Sequence, residues 1–197
     1  MLASGSAGRL RLLRDAGIDP EVVVSGVDEV TGPGLDTAGI VQLLADRKAG
    51  AVAALRPGAL VLGCDSLLDV DGAAIGKPDS PARAEQTWRR ISGRDGTLLT
   101  GHCLVDGASG RQARGVAATT VRFATPSGRE IAAYVGSGEP LRVAGAFSID
   151  GLGAPFVGRI DGHPSNVIGL SLPLLRRLLA DLGITITDLW RGAGTDQ

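Results

Sequence analysis

The sequence predicts an α/β fold in which helices flank a mixed central sheet, in an elongated molecule with two lobes around a cleft. Segments with strand-like and helix-like apolar spacing alternate through the first half of the 197-residue chain. A stretch rich in hairpin signals follows, which is typical of a sheet that mixes pairing directions. The length suits one large domain, 1–197, and 44% of the residues are hydrophobic, enough for a substantial core.

The chain opens with a strand stub at 1–3 and a loop of small residues at 4–8. A helix at 9–16 follows, and Gly17 ends it. A loop that leads into a helix N-terminus presents unpaired N–H groups, and such groups bind phosphate oxygens. Arg9 in the first turn opposes the helix dipole, which a nearby anion would explain. The alternative is an ordinary strand-to-helix turn with an exposed arginine.

A second strand is predicted at 21–25, and Asp28 and Glu29 follow it. Two adjacent carboxylates suit a hard cation, although most such pairs are only solvated. A loop at 31–37 then leads to a long helix at 38–55. Lys48 lies in this helix, and its default position is a solvated face.

The central segment carries a carboxylate and an ammonium close together in sequence. The apolar run at 59–62 predicts a buried strand, although a run this short does not exclude a helix. Asp65 comes just past its end, at the edge where open α/β sheets bind ligands. Asp71-Gly72 predicts a hairpin, and Lys77 lies on the return segment before Pro78. The alternative is a polar strand end and a turn without function.

The second half of the chain shows clear capping and turn signals. Ser80 and Pro81 begin a helix, and Ser127 begins another. The segment 139–151 has no clean period, and we expect it to form loops that line a site. The predicted elements are a helix from 81 to about 91, strands at 97–105 and 116–123, a helix at 128–135, a strand at 155–160 and a final helix at 173–182, with a frayed end at 192–197.

Composition limits the classes of function. A net charge of −1 gives no bulk attraction to nucleic acid or to anionic membranes, and only 3% of the residues are aromatic, too few for base-stacking platforms. No apolar run reaches the roughly 18 residues of a membrane span. Cys64 and Cys103 are too few for a disulfide framework, so we expect reduced core thiols in a cytoplasmic protein.

Taken in order, the short motifs of this chain resemble those of the Maf family of nucleoside triphosphate pyrophosphatases. A single tripeptide would have no weight, but the ordered set covers nearly the whole chain. The matching segments are Leu2-Ala3-Ser4-Gly5-Ser6 with Arg9, Ser25-Gly26-Val27-Asp28-Glu29, Arg47-Lys48-Ala49, Gly63-Cys64-Asp65-Ser66, Gly76-Lys77-Pro78, Ser92-Gly93-Arg94, Thr100-Gly101, Ser137-Gly138-Glu139-Pro140, Ala144-Gly145-Ala146 and Val167-Ile168-Gly169-Leu170-Ser171-Leu172-Pro173.

The resemblance implies an ITPase/Maf-like architecture and a hydrolase acting on acid anhydrides. Such an enzyme would cleave a nucleoside triphosphate, including modified or non-standard ones, to the monophosphate and pyrophosphate, with Mg²⁺ or Mn²⁺ as the divalent metal. By this analogy Asp65 is the general base, and Glu29 and Asp65 bind the metal. The substrate-binding residues that the resemblance implies are Ser4, Ser6, Arg9, Lys48, Lys77 and Arg94.

Other classes of function stay open at this point. One is a nucleotide-binding regulator of cell division or septum formation with little turnover. Another, suggested only by the opening loop, is a binder similar to sugar nucleotidyltransferases. An intact set of Glu29, Asp65 and Lys77 favours the enzyme, because a sensor has no need of a base. The partner in each case is a nucleotide, with neither nucleic acid nor membrane, and a homodimer is one option for the assembly.

Three positions depart from the pyrimidine-selective branch of the family, where an arginine, a threonine and a glutamine are associated with base choice. Here these positions hold Gly8, Ser66 and Asp150. An amide both donates and accepts hydrogen bonds, whereas an ionised carboxylate only accepts them. We therefore expect dTTP and UTP not to be exclusive substrates. His102 and His163 match no family role and are expected to be structural or exposed.

Overall fold

The computed structural model describes residues 1–190, which contain six α-helices and a five-stranded sheet. The α/β class with helices flanking a central sheet is confirmed. Within this range no helix is both long and apolar enough to cross a membrane. The frayed end predicted at 192–197 lies outside the described residues. The elements are α1 (Ala7–Asp15), α2 (Thr37–Leu55), β1 (Leu60–Val70), β2 (Ala73–Ile75), α3 (Pro81–Ile91), β3 (Asp95–Asp106), β4 (Gln112–Phe123), α4 (Gly128–Gly136), β5 (Val157–Asp161), α5 (Pro164–Ile168) and α6 (Leu172–Asp181).

The strands lie in the order β2-β1-β3-β4-β5, and every neighbouring pair is antiparallel. Parallel pairing occurs only as isolated bridges in the described residues, where Leu2 pairs with Leu62 and with Val22. The strand predicted at 21–25 is therefore wrong, because Val22 finds only this one bridge. The Asp71-Gly72 hairpin is confirmed: φ is 55° and 77° at these residues, the left-handed values that a two-residue hairpin turn requires.

β1 is longer than predicted, and Asp65 lies inside it. The prediction that Asp65 follows the strand end is wrong, because Asp65 pairs with Gly101 of β3 and the strand continues to Val70. On the other edge of β1, Leu2 bridges to Leu62, and β2 begins to pair at Leu68. Between these two points no described strand pairs with that edge. Asp65 thus lies beside a gap in the sheet.

Two glycines let α2 lie directly on the sheet. A Cβ at Gly101 would lie 2.2 Å from the carbonyl oxygen of Val41, and one at Gly63 would lie 2.4 Å from that of Ala45. Both distances are far below any van der Waals contact, so only glycine permits this approach. The close packing brings the inner face of α2, including Lys48, against the middle of β1.

The core consists of two main apolar clusters, and β1 contributes to both. Its first half supplies Leu62 and Cys64 to a cluster with α1 and α6, and its second half supplies Leu68 to a cluster around Trp88. The Trp88 ring makes edge contacts with Phe123, Tyr134 and Phe156, and its Nε1–H donates to the carbonyl of Ala146 at 2.8 Å. Asp65 and Ser66 lie where β1 passes from one cluster to the other.

The two cysteines are buried free thiols, as predicted. Burial raises the pKa of Cys64 and of Cys103 to about 12. Both sulfurs therefore stay protonated at neutral pH and act as small apolar side chains in the core.

Candidate functional site

A cleft of about 1460 Å³ opens beside the gap in the sheet. Its walls are the N-terminal loop with α1, the loop at 24–31, α2, the middle of β1, the segment after β2 and the loops at 137–152 and 167–169. Arg94 lies outside this lining and pairs with Asp71 at the hairpin turn, so the structure does not bring it to the other predicted ligands. The predicted site residues that do line the cleft are Ser4, Ser6, Gly8, Arg9, Glu29, Lys48, Asp65, Ser66, Lys77 and Asp150.

The centre of the cleft is an ammonium between two carboxylates. Lys48 Nζ lies 2.5 Å from Asp65 Oδ1 and 2.6 Å from Glu29 Oε1. The side chains of Lys48 and Asp65 are only 11% and 12% exposed, whereas that of Glu29 is 65% exposed. The hydrogen bond from Lys48 holds the pKa of Glu29 below its ordinary value, against a smaller effect of burial, and the positive charges of Lys77 and Arg9 lower it further.

Lys48 does not lie on a solvated face, the default position for a lysine in a helix. Gly63 and Gly101 let α2 approach the sheet so closely that this lysine faces the strands. A buried ammonium requires a counter-charge, and Asp65 on β1 supplies it. The burial of the Lys48–Asp65 pair is thus a direct result of the close packing of α2 on the sheet.

Arg9 is a buried cation whose partners are all neutral. Its Nε–H donates to the Gly169 carbonyl at 2.7 Å, Nη1 donates to Ser4 Oγ at 2.9 Å, and Nη2 donates to Ser66 Oγ at 3.0 Å. Among residues 1–190 no carboxylate forms an ion pair with it. A buried charge without a counter-charge is costly, so this guanidinium favours an anionic ligand.

The N-terminus of α1 adds backbone donors at the same place. Ser6 is the N-cap and accepts from the Arg9 N–H at 3.4 Å, while its own N–H donates to Ser4 Oγ at 3.3 Å. The N–H groups of Ala7 and Gly8, in the first turn, have no acceptor in the described part of the chain. Together with Arg9 they form a positive wall suited to phosphate oxygens.

Lys77 follows β2 and is exposed at the rim of the cleft. Its charge acts on Glu29, as the lowered pKa of that carboxyl shows. Lys77 and Lys48 therefore approach the acidic centre from different walls. Asp65 and Lys77, which the sequence predicted to lie near the same sheet edge, both line the cleft, but Asp65 is in the interior of a strand and not at its end.

A family model described as Maf-like protein matches residues 1–182. The chain belongs to the Maf family. Relatives named nucleoside triphosphate pyrophosphatase include those of Streptomyces coelicolor, with 59% identity over 98% of this chain and 95% of the relative, and Streptomyces avermitilis, with 56% identity over 96% and 93%. The relative from Salinispora tropica is 55% identical over 99% of this chain and 89% of its own length.

Among solved structures, a HAM1 protein from Coxiella burnetii has a TM-score of 0.44 and 17% identity to this Maf chain. The match covers 91% of this chain and 97% of the Coxiella chain.

Ser66 and Asp150, two of the three positions at which this Maf protein departs from the pyrimidine-selective branch, are bonded to other side chains. Asp150 pairs with Arg11 of α1, a cleft residue that no sequence motif had indicated. Ser66 accepts from Arg9 and lies 2.9 Å from Thr100 Oγ1, so it faces inward. A Cβ at Gly8 would lie 3.1 Å from Ile168 Cγ2, so a larger residue here requires Ile168 to shift slightly.

The structure allows a test of whether these residues suit a divalent metal. Residues 1–190 contain no group of three or more His, Cys, Asp and Glu side chains able to hold an ion. Lys48 contacts one oxygen each of Asp65 and Glu29, which leaves Asp65 Oδ2 and Glu29 Oε2 for other ligands. Mg²⁺ is commonly held by one or two carboxylates together with substrate phosphates and water. The donor set of this Maf cleft fits that pattern.

His102 is structural, as predicted. Its Nε2 accepts from the Ser171 N–H at 2.9 Å, so Nδ1 carries the proton and donates to the Thr100 carbonyl at 3.0 Å. Burial lowers the pKa of His102 to about 4. His163 serves as the N-cap of α5, where its ring accepts from the Ser165 N–H at 3.3 Å.

Proposed function

We propose that this Maf protein is a nucleoside triphosphate pyrophosphatase, the activity after which its relatives are named. The observation that carries the proposal is that one cleft, large enough for a nucleotide, holds a buried Asp65–Lys48 pair and Arg9, a buried cation that forms no ion pair within residues 1–190. The proposal treats residues 1–197 as one domain whose two lobes hold the nucleotide between them, in the cytoplasm.

In this proposal water attacks the α-phosphorus and the bond to the bridging oxygen breaks. Pyrophosphate leaves with the electron pair of that bond, and Asp65 takes the proton from the attacking water. Lys48 keeps Asp65 oriented through Oδ1, so the two lone pairs of Oδ2 stay free, one for the water and one for the cation described below. Arg9, Lys77 and the first-turn N–H groups of α1 stabilise the negative charge that develops on the phosphate oxygens.

The proposal includes a divalent cation, Mg²⁺ or Mn²⁺, held by Asp65 and Glu29. When bound, it neutralises phosphate charge and favours departure of pyrophosphate. Glu29 suits this role because it is ionised and largely exposed, with a lowered pKa, on a loop that borders the cleft.

Product analysis tests the proposal. The protein is incubated with GTP, CTP, UTP and dTTP in Mg²⁺ or Mn²⁺, and the products are separated. We expect pyrophosphate and the nucleoside monophosphate in equal amounts. Orthophosphate without pyrophosphate would contradict the proposal and indicate a γ-phosphatase. Nucleotide binding without any product would contradict it in favour of a regulator of cell division.

A further inference from the structure

Glu139 accepts hydrogen bonds from four groups at once. Its Oε1 accepts from Tyr134 Oη at 3.1 Å, from Ser148 Oγ at 2.5 Å and from the Gly153 N–H at 3.0 Å. Its Oε2 accepts from the Leu152 N–H at 2.9 Å. Three of these donors belong to the segment 147–153, which we call the cleft loop, since residues 147–152 line the cleft.

The cleft loop closes tightly around this carboxylate. A Cβ at Gly151 would lie 2.5 Å from Glu139 Oε2, and one at Gly153 would lie 2.5 Å from the hydroxyl of Tyr134. Side chains at these two positions would push the loop away from Glu139. The loop is therefore built around the carboxylate, and its glycines are required by that close approach.

The state of Glu139 argues for a positioning role. Burial by itself raises the pKa of this carboxyl, but the hydrogen bonds from Ser148, Leu152, Gly153 and Tyr134 together outweigh it and lower the pKa. An ionised carboxylate that already accepts from four donors is not available to move a proton. It also makes no hydrogen bond or ion pair with the Lys48–Asp65 centre in the described part of the chain.

The cleft loop is suited to the nucleoside end of the substrate. The cations that attract phosphate, Arg9, Lys48 and Lys77, lie on the other walls. The loop instead presents Asp150, whose charge is offset by its pair with Arg11, and Leu152, whose residue is 61% exposed and offers an apolar surface. A base lying against such a wall meets one apolar side chain and one hydrogen-bond acceptor.

We propose that Glu139 is a positioning residue that sets the base selectivity of the enzyme by holding the cleft loop against the nucleoside end of the substrate. This inference rests on the proposed function only in taking a nucleoside triphosphate as the ligand. Glu139 touches neither the reacting phosphorus nor the attacking water.

The test compares Glu139→Gln with wild type for GTP, CTP, UTP and dTTP. The amide keeps the shape of the side chain but turns an NH₂ group toward donors, so the loop must shift. We expect the kcat/KM ratios among the four substrates to change by roughly tenfold or more, chiefly through KM, because small displacements in a site have effects of this size. Ser148→Ala, which removes one donor, should change the ratios in the same direction by less.

Glu130→Gln is the matched control. Glu130, a carboxylate of α4, likewise accepts hydrogen bonds, from Ser127 in the helix cap, but it does not line the cleft. Its variant should keep the wild-type ratios. Melting temperatures establish that each variant is folded. A folded Glu139→Gln protein with unchanged ratios would overturn the inference.

A double-mutant cycle adds a second test. Gly151→Ala places a methyl group against Glu139, so it should alter the ratios strongly in wild type and little in a Glu139→Ala background. Equal effects in both backgrounds would overturn the inference. The same comparisons are made as dissociation constants for the α,β-methylene analogues of the four nucleotides. Absence of turnover in wild type would defeat the proposed function, whereas unchanged binding ratios would defeat this inference.

Discussion

Asp65 stands between a buried ammonium and an open cleft, and this position defines what the residue can do. One carboxylate oxygen is bound by Lys48, and the other is directed to no protein donor in the described residues. The ion pair orients the carboxylate, and burial keeps competing water away from Oδ1. A base held in this manner has one oxygen left for a substrate water.

Replacing Asp65 by Asn should preserve the fold and remove most hydrolysis. The amide has the same size and can still accept from Lys48 through its oxygen, but it cannot take a proton. General-base contributions are typically about 10²–10⁴-fold, so we expect kcat/KM to fall by that factor. Steady-state kinetics with Mg²⁺ measures it, and Asp79→Asn, an exposed carboxylate outside the cleft lining, is the control. A rate within about threefold of wild type, about 0.65 kcal/mol, would contradict the assignment of the base.

Asp150→Gln should change the preference among nucleotides toward pyrimidines. The substitution removes the negative charge from the cleft loop, breaks the pair with Arg11 and introduces an amide that donates as well as accepts. The pair is half exposed, so the cost in stability is only about 0–1 kcal/mol.

The measurement is kcat/KM for dTTP, UTP, CTP and GTP in wild type and in the Asp150→Gln variant. We expect dTTP and UTP to improve relative to GTP. If kcat/KM changed by the same factor for all four nucleotides, Asp150 would have no role in base choice beyond its ion pair with Arg11.

At the scale of elements, the contact between α2 and the sheet determines where Lys48 lies. Gly63 and Gly101 are on neighbouring strands, and both face the backbone of α2. Because nothing but hydrogen fits between helix and sheet there, the distance of α2 from β1 is fixed by contact of main chain with main chain. Lys48 then reaches Asp65 without bending the helix.

Gly101→Ala should separate α2 from the sheet and reduce both stability and activity. Its Cβ would lie 2.2 Å from the carbonyl oxygen of Val41, and a helix backbone cannot yield as a flexible side chain does. Overpacking of this kind typically costs about 1–3 kcal/mol of unfolding free energy. Urea denaturation measures the cost, and kcat reports the displacement of Lys48.

Gly50→Ala in α2 is the control, because its Cβ would meet no atom within 4 Å. In an exposed helix interior, alanine should stabilise the protein by about 0.5–1 kcal/mol. A Gly101→Ala protein with the stability and activity of wild type would contradict the role given to the helix–sheet contact.

The elements with capping signals were well predicted, and those that depend on distant partners were not. Ser80-Pro81 and Ser127 fix the starts of α3 and α4 through local hydrogen bonds, so the sequence alone locates them. The segment 21–25 has the composition of a strand but finds only Leu2 beside it. β1 continues past Cys64 because β3 pairs with it as far as Asp69. Asp65 and Ser66 line the cleft, and from the sequence such polar residues cannot be distinguished from a strand end.

The site residues suggested by the resemblance all line the cleft except Arg94. Short motifs can be recognised in the sequence alone, whereas contacts between distant segments cannot. Arg11 lies in no motif and joins the site through Asp150, far away in sequence. Arg94 lies in a motif, but the fold pairs it with Asp71. Burial of Lys48 depends on glycines of two other elements and has no local signal.

At the scale of the whole molecule, one buried histidine couples acidity to folding. His102 links β3 to the start of α6, because its ring bridges the Thr100 carbonyl and the Ser171 N–H. If Nε2 were protonated, it could no longer accept the hydrogen bond from the Ser171 N–H, because two N–H groups would then face each other. The folded state therefore resists protonation of this ring.

The free energy of unfolding should fall as the pH decreases from about 6.5 to about 4. Over this window, between the ordinary pKa of histidine and the lowered pKa of His102, the unfolded chain binds a proton that the folded protein does not. The contribution is at most about 1.4 kcal/mol per pH unit. Urea denaturation at several pH values measures the slope, and His102→Gln, which cannot titrate, should flatten it. An identical slope in the variant would assign the acid sensitivity to other groups.

The position of Asp65 inside a long strand has a consequence for how substrate range can diverge in this scaffold. On the proposed function, the hydrolytic step depends on a strand and a helix that touch main chain to main chain; on the role inferred for Glu139, recognition of the base depends on a loop folded around one carboxylate. Mutations in the loop can then change which base is bound without disturbing the hydrolytic step, which is common to all substrates. A scaffold of this kind can acquire new nucleotide preferences through few substitutions and keep its chemistry unchanged.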